Sequence, residues 1–528
     1  MKNLPHRPSS GQLNLGHLKK QSKELLRACR DADAPALARI RESLPAAAGR
    51  DDAAIAAMDL RLHDAQSCIA REYGFASWTQ LKDYVETQAI AVDRIALLGR
   101  WKLWTFGAGY DGAKPHLAAR LLNEHPGLAA GDPALACATG DVDAVRRKIA
   151  DDPSWARTHG SATTMSPLLC ACFSGLLRLP EFASRIRDCA ALLLHAGADP
   201  NDTTFDPAFP GDPLGALYGA AGRNHDGELT RMLLAAGANP NDGESLYHAT
   251  ESADPECVRL LLEAGARVGG SNALNRSLDF ERPEMLRLLL AHGGDPNERT
   301  NDAPLTHAIR RRRSPQIVRM LLDAGADPDS RNPQGIGAYR LALRMGLTEI
   351  ANLLRDAGAS GIGDASEGDA SENFIAACAR GDRVAATTLL AQRPGLIGEL
   401  DASQLRLLPD LAAIGNDDAA RLMVELGWPI AVRSGDIDGS ALNHAVFRGD
   451  APLTAFLLAH GAHYDERHGY NDNVYGTLSF ASRNHINETG DWLGCAKALI
   501  EAGSPVPDAH YVFDDDVEAY FEELRKTD

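Results

Sequence analysis

The hydrophobic positions of this chain fall into short stretches with helical spacing, and many of these stretches end in the same way. Six of them close on Leu-Leu-x-x-Gly-Ala or a near copy, at residues 193–199, 233–239, 261–267, 289–295, 321–327 and 457–463. The steps between successive turn glycines from Gly237 to Gly358 are about 28 to 33 residues long. A period in this range is typical of an array of stacked helix pairs.

The unit at 303–329 shows the start and stop signals of one such pair. Leu305 and Ile309 share an apolar face of the first helix, and Pro315 suits the first turn of the second helix, where no N–H donor is needed. Gly325 is expected to end the pair, because a residue without a β-carbon can adopt the left-handed conformation. A pair this short cannot bury its apolar face alone, so we predict that it stacks on its neighbours.

These units resemble the ankyrin repeat, which reads roughly Thr-Pro-Leu-His-x-Ala-Ala, a turn, a second helix and Leu-Leu-x-x-Gly-Ala-Asp-x-Asn. Close matches are Ser166-Pro167-Leu168, Ala303-Pro304-Leu305, Gly197-Ala198-Asp199-Pro200-Asn201 and Gly237-Ala238-Asn239-Pro240-Asn241. The resemblance covers about residues 133–507 and implies an all-α ankyrin-repeat solenoid that serves as a non-enzymatic protein-binding scaffold. The units of about 28 residues are too short for a full β-hairpin finger.

Five regions are expected along the chain. They are a helical N-terminal capping region at 1–130, a repeat array at 131–360, a flexible acidic linker at 361–372, a second array at 373–510 and a C-terminal capping helix at 511–528. Segment 62–78 resembles helical segments that precede ankyrin arrays in many bacterial proteins. Because the terminal units of a stack must shield their outer face, we interpret the first region as a cap.

Composition and charge limit the class of partner. The chain of 528 residues has a formal net charge of −18 and a pI near 5.4, which opposes binding to nucleic acid and to anionic membranes. No apolar stretch reaches the roughly 18 residues of a membrane helix. The polar segment 1–21 lacks the apolar core of a signal peptide, so we expect a cytoplasmic protein.

The nine cysteines lack the clustered spacing of a zinc site. Cys137, Cys172 and Cys378 each stand three residues before a turn glycine, a position for a small packing residue. His248, His307 and His444 recur before an alanine of the first helix, where packing or hydrogen bonding is favoured over metal binding. No metal and no cofactor is predicted.

Arginine at the end of the first helix is the sharper indication of function. In ankyrin arrays these positions line the concave surface, and a guanidinium group suits a carboxylate, so we expect a protein partner that is acidic. The predicted partner-binding residues are Arg223, Arg310, Arg311, Arg344, Arg380, Phe447, Arg448 and Arg483. Phe280, Met345 and Phe447 are expected to add apolar contacts. Alternatively, the arginines pair with acidic neighbours such as Glu251 and Asp279 and form a solvated ladder of little energetic weight.

The helix tips offer a second open alternative. The sequence Arg-Asn-His occurs at 223–225 and again at 483–485, and longer insertions occupy the turns at 176–187 and 484–491. Extra residues at repeat tips often belong to the binding face. They are equally explained by the tolerance of surface turns for insertion.

A rival hypothesis places an enzyme or small-ligand site within 91–130, where Trp101, Trp104 and His116 lie near a glycine turn. The turn at 107–112 matches G-x-G-x-x-G, but it lacks the preceding buried strand and the following acidic residue of a dinucleotide site. The sequence contains no H-E-x-x-H and no G-x-S-x-G, and no arrangement of Ser, Cys and His indicates a nucleophile with its base. We therefore predict a scaffold and not an enzyme.

Overall fold

The fold is a succession of helix pairs, with 62% helix and 2% strand. A computed structural model describes residues 14–58, 60–88, 93–107, 113–160, 165–206, 209–300, 302–360, 370–484, 489–508 and 511–525. Its internal contacts divide the chain into two compact units, residues 1–273 and residues 274–528. The predicted all-α repeat fold is confirmed.

The first unit contains fourteen α-helices among the described residues, together with three short 3₁₀ turns and one π-helical turn at Tyr218–Arg223. The α-helices are Leu15–Arg30, Ala34–Ser43, Asp52–Ala56, Leu62–Glu72, Trp78–Gln88, Arg94–Phe106, Pro115–Glu124, Pro133–Thr139, Val142–Asp151, Pro167–Phe173, Pro180–His195, Gly227–Ala235, Ser245–Ala249 and Glu256–Glu263. The 3₁₀ turns are Pro45–Ala47, Trp155–Arg157 and Gly175–Arg178.

One β-hairpin interrupts the helices of this unit. Strand Thr203–Asp206 pairs antiparallel with strand Phe209–Gly215, and Thr203 lies opposite Gly215. The hairpin lies in the long step between Gly197 and Gly237, which has room for a finger that the shorter repeats lack.

The second unit continues the pairs up to a closing helix. Its α-helices are Ala273–Ser277, which begins one residue before the boundary, Pro283–Ala291, Pro304–Arg310, Pro315–Asp323, Ala338–Arg344, Thr348–Asp356, Ala370–Ala379, Arg383–Gln392, Ala402–Leu405, Leu407–Ala413, Asp417–Glu425, Ala441–Arg448, Ala451–Ala459, Val474–Asn484, Trp492–Glu501 and Asp515–Arg525. A 3₁₀ turn lies at Leu396–Glu399. Isolated bridges join Arg331 to Gly337 and Ser434 to Gly439.

The start and stop signals at 303–329 act as predicted. The second helix of this pair is Pro315–Asp323, and the hydroxyl of Ser314 caps it by accepting a hydrogen bond from the N–H of Ile317. Gly325 has a φ of 95°, a conformation that a side chain with a β-carbon rarely adopts. Local sequence therefore sets where each helix ends.

The first leucine of each Leu-Leu motif lies in the core of its own compact unit. These six leucines are fully buried: Leu193, Leu233, Leu261, Leu289, Leu321 and Leu457. Full burial of one leucine side chain stabilises the fold by about 1.5–3 kcal/mol relative to exposure. The repeat motif thus marks the leucines that the helix pairs bury in the core.

The asparagine at the end of the motif joins one repeat to the next. The side-chain amide of Asn201 donates to the carbonyl of Gly237 at 3.1 Å, and its oxygen accepts from the N–H of Asn239 at 2.7 Å. In the second unit, the amide of Asn297 donates in the same way to the carbonyl of Gly325 at 2.8 Å. The two amide bonds each satisfy a carbonyl at a helix end, and the Asn201 oxygen satisfies an N–H of the next repeat, which explains why the motif ends in asparagine.

The predicted linker at 361–372 requires a correction at its end. Helix Ala370–Ala379 already includes residues 370–372, and Glu372 is buried. The local sequence does not show that Glu372 is buried, because its ion-pair partner, Arg344, lies 28 positions earlier in the chain. Residues 361–369 lie outside the described part of the chain. Helix Asp515–Arg525 occupies the predicted C-terminal capping region.

Candidate partner-binding surface

Arg344 lies in the interior and not on a binding surface. Its Nε donates to Oε2 of Glu372 at 3.0 Å and its Nη2 donates to Oε1, which makes a two-pronged ion pair. The side chains of Arg344 and Glu372 are only 8% and 4% exposed. Nε2 of Gln404 donates to the same carboxylate at 3.0 Å. The prediction that Arg344 and the adjacent Met345 contact a partner is therefore wrong, since Met345 is also buried.

Arg223 serves the interior of the first unit. It ends the π-helical turn, donates from Nη2 to the carbonyl of Phe106 and places its guanidinium 5.7 Å from the ring centre of Phe173. The neighbouring Asn224 donates to the carbonyl of Cys172 at 2.8 Å and accepts from Nε of Arg178 at 3.0 Å. The tip at 223–225 therefore contributes to the packing between helices of the first unit.

Arg448 is similarly engaged within the second unit. Its Nη1 donates to the carbonyl of Ala412 at 2.8 Å and pairs with Asp417 at 2.9 Å, while Nη2 pairs with Asp450 at 3.2 Å. These contacts tie helix Ala441–Arg448 to the preceding pair. They leave the Arg448 guanidinium little capacity for a partner.

Arg310 and Arg311 are half-exposed and take part in an ion-pair network. Arg311 lies 2.9 Å from Asp279, which also accepts a hydrogen bond from Nη1 of Arg276 at 2.7 Å and contacts His307 at 3.0 Å. Burial alone would raise the pKa of Asp279, but hydrogen bonds from His307 and Arg276 and the charge of Arg311 hold it well below its ordinary value. Arg311 thus pairs with an acidic neighbour, Asp279, as the alternative interpretation of these arginines expects.

Of the remaining predicted residues, two arginines are exposed to solvent and Phe447 is partly buried against the core. Arg380 and Arg483 are exposed, and within the described part of the chain no carboxylate forms an ion pair with either. The ring of Phe447 stacks on that of Phe480, with centres 6.2 Å apart and planes inclined by 13°. Phe480 is 54% exposed. Because Phe480 and Arg483 are three residues apart on helix Val474–Asn484, they share one face. We call Phe447, Phe480 and Arg483 the aromatic patch.

A family model of three ankyrin repeats matches residues 217–300, and a model of a single ankyrin repeat matches residues 302–333. Residues 217–333 contain ankyrin repeats. Ankyrin repeats generally mediate protein–protein interaction and are typically non-enzymatic. No curated protein matches this chain. Of the predicted binding residues, the ankyrin match covers Arg223, Arg310 and Arg311.

The three recurring histidines of the first helices each have their own hydrogen-bond partner. Nδ1 of His248 lies 2.9 Å from Glu251, His307 contacts Asp279, and Nε2 of His444 lies 2.8 Å from the carbonyl of Ser434. All nine cysteines of the chain are buried, and burial raises the pKa of Cys170 to about 12. Among the residues that the structure describes, no three metal-ligating side chains are arranged to hold an ion.

We expect the stability of the ankyrin region to depend on pH through His248. Burial alone would lower the pKa of His248, but hydrogen bonds to Glu244 and Glu251 outweigh burial and raise it to about 9. Because this pKa lies above the unfolded value of about 6.5, the charged form stabilises the fold below pH 6.5, and the contribution is lost as the pH rises through 9. We expect the unfolding free energy of the first unit to fall by about 1–2 kcal/mol between pH 6.5 and 9.5, after allowance for solvent screening.

The check is urea denaturation at both pH values, on the wild type and on His248→Gln. The substitution should remove this part of the pH dependence. His116→Gln, at an exposed position of the same unit, should keep it. If the unfolding free energy falls equally between the two pH values in the wild type and in His248→Gln, His248 is not the titrating group.

The two tryptophans of the rival ligand site at 91–130 are not accessible to a ligand. Trp101 and Trp104 are buried in the packing of helix Arg94–Phe106, and His116 is exposed on the following helix. Most of the glycine turn, residues 108–112, lies outside the described part of the chain. No helix in the described ranges is both long and apolar enough to cross a lipid bilayer.

Proposed function

We propose that this chain is a non-enzymatic cytoplasmic scaffold that binds an acidic protein partner through first-helix ends on its concave face. The observation that carries the proposal is the aromatic patch, where the exposed ring of Phe480 stacks on the partly buried ring of Phe447 beside the exposed Arg483. Aromatic and arginine side chains dominate the binding energy of protein interfaces. An exposed ring such as that of Phe480, held in place by a ring packed beneath it, is an anchor of this kind.

The chemistry of the patch defines the segment that it binds. An apolar side chain of the partner packs against the rings of Phe447 and Phe480, because this contact removes apolar surface from water. A neighbouring carboxylate of the partner pairs with Arg483, which has no carboxylate partner within the described residues. The bound segment is therefore acidic and carries at least one large apolar residue.

The net charge of −18 repels an acidic partner at long range. At physiological ionic strength, salt screens this repulsion beyond about 8 Å. Binding then depends on the local guanidinium groups at the first-helix ends, and Arg380 is an exposed example outside the aromatic patch. Charge on the remaining surface affects the association rate more than the affinity.

Substitutions in the aromatic patch are expected to weaken recognition strongly. Arg483→Glu and Phe480→Ser should each weaken binding of the partner by about 30-fold, equivalent to roughly 2 kcal/mol at an interface anchor. The measurement is affinity capture from a nuclease-treated lysate, with proteins quantified by mass spectrometry. Nuclease treatment removes proteins that are bridged by nucleic acid.

The matched control is Arg319→Glu, which makes the same change at an exposed position of the second helix Pro315–Asp323. The proposal requires a defined set of proteins that wild type and Arg319→Glu capture equally and the two patch variants lose. Equal capture by all four proteins would reject the aromatic patch as the binding site.

A further inference from the structure

A closed loop of the second unit, residues 433–439, precedes helix Ala441–Arg448, and we call it the acidic finger. The N–H of Ser434 donates to the carbonyl of Gly439, and the N–H of Gly439 donates to the carbonyl of Ser434, both at 2.9 Å. This reciprocal pair of bonds fixes the base of the loop. Its tip residue, Asp436, is 71% exposed.

Neighbouring elements hold the acidic finger rigidly. Nε2 of His444 lies 2.8 Å from the carbonyl of Ser434, and burial lowers the pKa of His444, so its neutral ring donates this hydrogen bond. Nε of Arg406 donates to the hydroxyl of Ser434 at 3.1 Å. Gly435 has a φ of 76°, and a β-carbon there would lie 2.6 Å from the His444 ring. These contacts hold the loop against its neighbours and set the position of Asp436.

Asp436 reaches the arginine pair of an ankyrin repeat 125 positions earlier in the sequence. Its carboxylate lies 3.6 Å from Nη1 of Arg310 and 3.2 Å from Nη1 of Arg311. These are the first-helix ends that the sequence predicts as partner-binding. The finger thus places an exposed carboxylate where an acidic partner would place its own.

The carboxylates that contact the arginine pair differ in how exposed they are. Three guanidinium groups, those of Arg276, Arg310 and Arg311, face two carboxylates that belong to the same repeats. Asp279 and Asp302 are largely buried and lie within 3.7 Å of these arginines. Asp436 adds an exposed carboxylate to this network from outside these repeats. Because Asp436 is exposed, it can be exchanged for another carboxylate without uncovering a buried charge.

We propose that Asp436 is a tethered competitor that occupies the Arg310–Arg311 pair until a carboxylate of an acidic peptide segment displaces it. This inference rests on the proposed function and adds its regulation. Because the ion pair of Asp436 is exposed, the finger lowers the apparent affinity of the arginine pair by only a small factor. Its effect is to reject single carboxylates and to admit segments that present several.

The test is fluorescence anisotropy with fluorescein-labelled decaglutamate and purified full-length protein at 0.05 M salt. Asp436→Asn is isosteric and removes only the charge, and we expect it to tighten binding about two- to fivefold. The matched control is Asp438→Asn on the same finger, because Asp438 pairs with Arg433 at 2.6 Å and not with the arginine pair. This control should leave the affinity unchanged.

The combined variant Asp436→Asn, Arg310→Gln, Arg311→Gln tests whether the gain in decaglutamate affinity arises at the arginine pair. The gain should disappear in it, since the arginine pair is then absent. If decaglutamate binding depends on Arg310 and Arg311 but is equal in wild type and Asp436→Asn, acid recognition stands and the tethered competitor is rejected. If binding depends on neither arginine, both proposals fail for this pair, while the aromatic patch remains to be judged by its own capture experiment.

Discussion

Arg344→Ala is expected to lower the unfolding free energy of the second unit by about 3–5 kcal/mol. The substitution leaves the carboxylate of Glu372 at 4% exposure, and among the described residues Gln404 remains as its neutral hydrogen-bond donor. A buried charge without its partner costs far more than the ion pair itself contributes, because its desolvation is no longer offset. The effect should be largest at helices Ala338–Arg344 and Ala370–Ala379, which the ion pair joins.

Hydrogen exchange followed by mass spectrometry measures this effect locally, which suits a repeat protein that need not unfold in one step. Amides of the two helices should lose protection by about 100-fold or more in Arg344→Ala. The double variant Arg344→Met, Glu372→Met removes both charges and should recover most of the stability. Wild-type protection in Arg344→Ala would mean that the pair is solvated and not buried.

Phe374→Ala is expected to cost about 3–5 kcal/mol of unfolding free energy. The ring of Phe374 is fully buried and stacks on that of Trp428, with centres 6.0 Å apart and planes inclined by 19°. Its removal loses apolar burial and leaves a cavity that rigid neighbouring helices cannot fill. The measurement is urea denaturation followed by circular dichroism.

Phe480→Ala provides the matched control, because it makes the same change at a position that is 54% exposed. We expect it to cost less than about 1 kcal/mol, the scale of one aromatic contact at a surface. If the two substitutions cost the same, Phe480 is a packing residue and the aromatic patch is not a free surface.

The repeat architecture could be predicted because its causes are local. Helical spacing of leucines, a proline at a helix start and a glycine such as Gly325 at a helix end act within one pair, so the sequence shows them directly. The final asparagine of the motif acts between adjacent repeats, and its regular spacing reveals it. The β-hairpin at Thr203–Asp206 and Phe209–Gly215 escaped prediction because it occupies a single atypical repeat.

The binding surface could be predicted only in part. The sequence places arginines at first-helix ends, but it cannot show which carboxylate meets each of them. The partner of Arg344 lies 28 positions away and one partner of Arg311 lies 125 positions away. Phe480 was missed because its exposure depends on how the following chain covers helix Val474–Asn484. The only available signal was its spacing of three residues from Arg483.

Site-specific photo-crosslinking at Phe480 tests the central claim most directly. Phe480 is replaced by the photoreactive analogue p-benzoylphenylalanine, and the control places the same analogue at Val384, an exposed position of the second helix Arg383–Gln392. Irradiation in a lysate should join one defined acidic protein to position 480 but not to position 384, and Arg483→Glu should abolish the adduct. Equal adducts from both positions, or an adduct that survives Arg483→Glu, would contradict recognition through the first-helix ends.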